Sequence, residues 1–279
     1  MTKAEKLVLG TVQFGCQYGI NSAGRPSPEA VKAILSEAAA GGITTLDTSC
    51  AYGDAEQVLG STGKAADFRV VSKFLRTQGA SVAGTFSRSL ARLGVSRLYG
   101  YLIHHFSDWV DDPALWDALQ ELREQGATKR IGFSLYTPDE LETLLEKGVD
   151  FDLLQIPHNI FDRKFDPYLP ELAARGVEIH VRSTFLQGLF FKDRDSLSET
   201  MKPLRRYLLQ LDEAASATGL SVAELALNYN LQNPHITGVL IGVDNLEQLQ
   251  TNLRSVSDIP VDLDINVTEQ ELLNPVNWK

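Results

Sequence analysis

The feature that most constrains this chain is a repeat of pattern: a short apolar stretch followed by a helical one, eight times in series. Residues 6–13 (KLVLGTVQ) read as a strand, and 28–40, with a proline near the first turn and a run of alanines, as a helix. Strands are then predicted at 43–47, 69–74, 98–104, 128–134, 151–156, 177–182 and 237–241. Helical patterning follows each of them in turn, at 54–60, 80–93, 112–125, 138–147, 167–175, within 200–232 and at 245–254. Strands such as FRVVSKF and LYGYLIH are apolar almost throughout, as expected when both faces of a parallel sheet are covered. Eight such units imply an α/β fold, a (β/α)8 TIM barrel. No linker rich in Pro, Gly or Ser and no composition break divides the chain, so residues 1–279 are expected to form one domain. A doubly wound sheet is the structural alternative, but Gly10, Gly15 and Gly19 have the wrong spacing for its GxGxxG fingerprint.

In a barrel, functional groups come from the C-terminal ends of the strands. Asp47 closes the second predicted strand, which is entered through Gly41-Gly42. Tyr52 follows in a loop of small residues, where a phenol can face a cavity, and Asp54 is expected to cap a short helix stopped by Gly60. Lys73 lies near the end of the third strand and His104 closes the fourth. Singly these are ordinary residues: a cap, a loop aromatic, a snorkelling lysine, a core histidine. His104 is preferred to His105 because successive strand residues face opposite ways, and Leu102 and Gly100, on the His104 side, suit a barrel lumen.

Together the four make a proton donor. A free phenol has a pKa of about 10, and an adjacent ammonium, Lys73, is expected to lower it. Asp47 would hold that lysine and spare the site an uncompensated buried cation. His104 would orient the substrate oxygen. Such a set suits protonation of the alkoxide formed when a hydride reaches a carbonyl.

The net charge of −10 and the lack of a basic stripe argue against nucleic acid and anionic membrane as partners. No segment approaches the ~20 apolar residues of a membrane span, and residues 1–9 lack the apolar run of a signal peptide. A cytoplasmic protein is therefore expected. Cys16 and Cys50 form no CxxC pair, and Cys50, between Asp47 and Tyr52, is expected near the cavity and open to oxidation. The five histidines include neither HxH nor HExxH, so no metal site is expected.

LGTVQFG, DTSCAYG with EQVLG, SKF and LIHHF, in that order, resemble the aldo-keto reductase superfamily over almost the whole chain. The resemblance implies Asp47, Tyr52, Lys73 and His104 as a catalytic tetrad and a nicotinamide cofactor bound without a Rossmann unit. Downstream, GFSLYTP, LQIPHNIFDR, VRSTFLQGLF and IGVDNLEQLQTN look like the family's cofactor segments. By that likeness Ser134 and Gln155 would hold the carboxamide, and Ser183, Thr184, Phe185, Gln187 and Gly188 the pyrophosphate side. Gly242, Gln248 and Asn252 would hold the adenosine end, with Thr11 also in the cofactor cleft. Three positions depart from the family pattern. Leu135 follows Ser134 where asparagine is common, Arg182 stands where an aromatic residue usually stacks on the nicotinamide, and Phe106 replaces a common proline.

The expected activity is reduction of an aldehyde or ketone, a small carbonyl compound or a sugar, by NADPH or NADH. Many family members favour NADPH through a basic residue after the eighth strand, but Gly242 to Asn252 contains none and Asp244 would repel a 2′-phosphate. Lys192 and Arg194 are the nearest candidates to compensate. Substrate walls are expected from the loops after strands one, four and seven and from residues 273–279, with Trp109 and Trp278 among them. Two rival readings are a class I aldolase with Lys73 as Schiff base and a cofactor-carrying regulatory subunit of the kind found with potassium channels.

Overall fold

The computed structural model describes residues 2–20 and 24–278. Among them, eight parallel strands close into a barrel in chain order. They are β1 (Leu7–Gly10), β2 (Thr45–Asp47), β3 (Arg69–Phe74), β4 (Leu98–Ile103), β5 (Thr128–Ser134), β6 (Leu153–Pro157), β7 (Glu178–Arg182) and β8 (Gly238–Gly242). The ring closes where Leu7, Val8, Leu9 and Gly10 pair with Val239, Leu240, Ile241 and Gly242. A single turn, α1 (Val12–Gly15), leaves β1. The outer helices are α2 (Pro28–Ala40), α3 (Ala55–Ser61), α4 (Val82–Leu93), α5 (Phe106–Asp111), α6 (Ala114–Glu124) and α7 (Pro138–Glu146). They continue with α8 (Leu169–Ala174), α9 (Arg205–Thr218), α10 (Val222–Leu231) and α11 (Leu246–Arg254). The predicted TIM barrel is thus the observed fold.

Local chemistry explains where the helices begin and end. Ser27 accepts the Ala30 N–H ahead of Pro28, and Thr137 with Glu140 and Ser221 with Glu224 form capping boxes at α7 and α10. Gly94 and Gly219, at φ 67° and 71°, end α4 and α9 in the left-handed conformation. Several boundaries differ from the sequence reading, and β6 begins at Leu153, two residues late. β1 stops at Gly10 instead of running to 13, because the Thr11 N–H and hydroxyl both turn to the Asp47 carbonyl. β2 begins at Thr45, two residues late. Asp54 does not cap α3 with its side chain, which pairs with Arg25, and Gly60 lies inside the helix. Gly60 is there for packing: a Cβ on it would meet the Arg92 carbonyl oxygen at 2.0 Å.

The main apolar core fills the space between strands and helices, and Val71, Leu102 and Leu153 form a small layer inside the barrel. Gly100 belongs to that interior too, since a Cβ on it would sit 3.2 Å from Val71. Lys73, two residues beyond Val71 on β3, faces the same way one layer higher, at the C-terminal mouth. A further cluster, with Phe161, Phe190, Leu208, Leu225 and Trp278, packs α9, α10 and the tail against the loop after β7. Burying one such side chain contributes roughly 1.5–3 kcal/mol, so the strand ends are held on a rigid frame.

Candidate active site

The ends of β2, β3 and β4 bring Asp47, Lys73, Tyr52 and His104 together. Lys73 is fully buried, and its ammonium has three protons and three acceptors. They are Asp47 Oδ1 at 2.6 Å, the Thr48 carbonyl at 2.9 Å and the Tyr52 hydroxyl at 3.4 Å. The other Asp47 oxygen accepts from the Gln155 amide at 2.7 Å. Burial draws the Lys73 pKa below its ordinary value, and the Asp47 charge opposes that shift.

The half-buried Tyr52 departs from the sequence expectation. Burial, reinforced by the Asp47 carboxylate, pushes its phenol well above the ordinary 10.0. Asp47 cancels the charge on which the expected lowering depended. The phenol therefore stays protonated at neutral pH, which is the state a proton donor needs. Lys73 can only donate to the Tyr52 oxygen, so the phenolic hydrogen is turned away from the lysine. Gly15 lets the tyrosine sit there: a Cβ on it would meet the Tyr52 carbonyl oxygen at 1.8 Å.

His104 and His105 lie beyond the end of β4, where strand alternation no longer applies, and their rings stack at 4.9 Å. His104 lines the cavity and meets Tyr52 edge-on, with ring centres 5.7 Å apart; His105 is not on the cavity wall. Burial first, then the charges of Lys73, His105 and Arg182, lower the His104 pKa to about 2. Its ring is neutral across the physiological range.

From Tyr52 a cavity of about 640 Å³ runs past β5, β6 and β7 to the start of α11. Thr11, Ser134, Gln155, Arg182, Ser183, Thr184, Phe185, Gln187, Gly188, Gly242, Gln248 and Asn252 all stand on its wall, and Lys73 lies behind it. Gly10 and Gly242, paired across the barrel closure, leave part of the wall without side chains. A Cβ on Gly242 would strike the Gln13 amide at 2.3 Å, and buried Gln13 Oε1 has no hydrogen-bond partner among the described residues. Ser183, Gln187 and Gly188 hold φ values of 65°, 52° and 92° in the loop after β7. For the non-glycine Ser183 and Gln187 such conformations are costly, and they cluster at ligand clamps. Asn159 braces this loop by donating to the Ser183 carbonyl. A long cleft with a side-chain-free wall, an unsatisfied acceptor and a left-handed loop fits an extended dinucleotide.

Several polar groups are committed elsewhere. The Thr11 hydroxyl is used on Asp47, and Thr184 donates to the Leu240 carbonyl. Leu135 is buried in the core, so it offers no polar side chain beside Ser134. Arg182 lies 4.1 Å over the Tyr136 ring and donates to the Leu135 carbonyl. Arg194 is tied to both Asp212 oxygens, and neither it nor Lys192 reaches the cleft. The end of the cavity toward α11 presents Asp244 and Glu247, with no lysine or arginine on its wall among the described residues.

The expected substrate walls need correction. Trp109 packs on Phe133 and Phe106, Trp278 donates to the Leu272 carbonyl within its cluster, and none of these lines the cavity. Of the tail, Lys279 lies outside the described residues, and residues 273–278 do not reach the cleft either. The rim is built by Tyr18 and Phe191, from the expected loops after β1 and β7, and by Tyr136, from the loop after β5 that the sequence did not mark. Cys50 is also off the wall, and burial raises its thiol pKa, so it is not a ready thiolate.

The sequence profile of the Aldo/keto reductase family matches residues 6–265. The chain is 25% identical over 278 residues to "Uncharacterized oxidoreductase YqkF" of Bacillus subtilis, covering 90% of this chain and 88% of that protein. It is 27% identical over 290 residues to L-galactose dehydrogenase of Arabidopsis thaliana, covering 93% and 90%. In fold it is similar to the holo form of an aldo-keto reductase from Bacillus halodurans, with a TM-score of 0.74 at 22% identity over 98% of this chain and 92% of that one.

Proposed function

The chain belongs to the aldo/keto reductase family, the NAD(P)H-dependent carbonyl oxidoreductases, and we propose that Tyr52 is the proton donor with which it reduces an aldehyde or ketone. One observation carries this reading: a phenol on the cavity wall whose oxygen lies 3.4 Å from a fully buried ammonium, itself ion-paired with Asp47 at 2.6 Å. The bound nicotinamide cofactor supplies the hydride. The cofactor residues are those placed above along the cleft, from Ser134 and Gln155 through the Ser183–Gly188 loop to Gly242, Gln248 and Asn252.

Tyr52 gives its proton to the oxygen that becomes the alcohol. As negative charge passes to the tyrosine oxygen, the Lys73 proton already aimed at it strengthens its hydrogen bond and stabilises the phenolate. Asp47 keeps Lys73 charged against its burial and fixes its direction. His104, neutral and beside Tyr52 on the cavity wall, donates a hydrogen bond to the carbonyl and orients it. A Schiff-base role for Lys73 is poorly supported, since an amine whose three protons are all engaged has no free lone pair for a carbonyl.

The substrate class is a small carbonyl compound or a sugar, and the likeness to L-galactose dehydrogenase puts aldoses in the test set. The test is a screen of aldehydes, ketones and free sugars with NADH and NADPH in both directions, repeated with Tyr52→Phe. The variant should lose carbonyl reduction by roughly 10²- to 10⁴-fold while binding cofactor as the parent does. Near-native turnover by that variant would move the proton donor elsewhere, with His104 next in line.

A further inference from the structure

Ser49, two residues after Asp47, is buried between the tetrad loop and the His104 ring. Its hydroxyl oxygen accepts the Ala51 N–H at 3.1 Å and stands 3.0 Å from His104 Nδ1. A serine has one hydroxyl proton to give. Ala51 supplies a proton and takes none, which leaves Nδ1 as the acceptor the serine meets among the described residues. Were Nδ1 itself protonated, the serine hydrogen would point at nothing in a buried site, an arrangement native interiors avoid.

We infer that Ser49 is a positioning residue that donates to His104 Nδ1 and so fixes the imidazole as the Nε2–H tautomer. With Nδ1 turned to Ser49, Nε2 is the nitrogen left for the cavity whose wall His104 forms. Because burial, and after it the charges of Lys73, His105 and Arg182, keep the ring from taking a second proton, the tautomer decides what it offers. The Nε2–H form presents a donor; the other form would set a lone pair against the lone pairs of a carbonyl oxygen. The Ser49 carbonyl also accepts the Tyr52 N–H at 3.1 Å, so one residue sets both the turn that carries the acid and the state of the orienting ring.

The kinetic part of the test rests on the proposed carbonyl reduction; the spectroscopic part does not. Long-range ¹H–¹⁵N correlation spectra of the uniformly labelled full chain at neutral pH report each ring nitrogen, with His104 assigned by its loss in His104→Gln. The parent should show His104 with bare Nδ1 and protonated Nε2. Ser49→Ala should show a mixture of tautomers, and Ser49→Thr, which keeps a hydroxyl, should restore the single form. On a carbonyl substrate Ser49→Ala should lower kcat about three- to tenfold with unchanged cofactor affinity, as loss of one neutral hydrogen bond implies, and Ser49→Thr should recover it. A protonated Nδ1 in the parent overturns the inference, as does an unshifted tautomer in Ser49→Ala. Should Ser49→Ala not fold, the parent spectrum alone decides. If no carbonyl is reduced but the parent shows the predicted tautomer, the reductase reading fails and the role of Ser49 stands.

Discussion

Replacing Lys73 with methionine should separate what the buried ion pair does for folding from what it does for chemistry. The Lys73 and Asp47 side chains are 0% and 2% exposed, and the 2.6 Å contact between them is the only charge compensation the Asp47 carboxylate has among the described residues. Lys73→Met leaves that carboxylate with the Gln155 amide alone. Breaking one partner out of a buried pair costs roughly 3–5 kcal/mol. At about 2 °C per kcal/mol for a chain of this size, Tm should fall by roughly 6–10 °C. Asp47→Leu combined with Lys73→Met removes both charges and should recover more than half of that loss, because no uncompensated ion remains. Neither variant should reduce a carbonyl at an appreciable rate, so stability returns while activity does not. Melting curves of the cofactor-free protein at one scan rate, beside turnover on one substrate, make the comparison. A single variant melting within 2 °C of the parent, or a double variant less stable than the single, would refute the reasoning.

Acid should weaken the fold through two histidines. Their folded-state pKa values are held to about 2 for His104 and about 4 for His180, against 6.5 in the unfolded chain, so only the unfolded chain takes up these protons. Stability is fully present above pH 6.5 and falls as pH drops toward 4 for His180 and 2 for His104; His104→Gln or His180→Gln should flatten the slope of the urea midpoint between pH 7 and 5, and an unchanged slope in both counts against it. NADH and NADPH should give kcat/KM values within about tenfold of each other, since Asp244 and Glu247 face the far end of the cleft and Arg194 is held by Asp212. Steady-state kinetics showing more than a hundredfold preference for NADPH would mean that a basic group reaches the 2′-phosphate after all. Gly15→Ala, whose Cβ would lie 1.8 Å from the Tyr52 carbonyl oxygen, should cut kcat by at least tenfold while the far-UV circular dichroism spectrum stays native; full activity would show that the turn yields easily.

The barrel was readable because its strands are apolar runs and parallel pairing needs both faces covered, and six of the eight strands begin within a residue of their predicted starts. β1 was overextended through Thr11, Val12 and Gln13 because the β-branched Thr11 and Val12 carry strand-like composition, while the bond from Thr11 to Asp47 that ends the strand is tertiary. Asp47, Tyr52, Lys73 and His104 were legible as strand-end polar residues. The direction of the Tyr52 pKa was not, because it depends on how completely Asp47 neutralises Lys73, a matter of ångströms. Of the aromatic rim, the loops after β1 and β7 that carry Tyr18 and Phe191 were expected, whereas Tyr136, after β5, was not, because irregular loops leave no periodicity to read. Trp109 and Trp278 drew attention by size alone, and size equally suits a core.

The closure of β1 on β8 has a consequence for how the protein is made. Asp47, Tyr52, Lys73 and His104 have all been synthesised just past β4, yet β1 remains an open edge until β8 leaves the ribosome. For about half of synthesis, from β4 to β8, the nascent chain therefore carries these four residues without a closed cleft, and a strand edge able to meet the wrong partner. Gly10 and Gly242 meet only in the last pairing. A dinucleotide that needs both walls of the cleft binds only the closed ring, so cofactor supply in the cell would pull newly made chains toward closure by mass action.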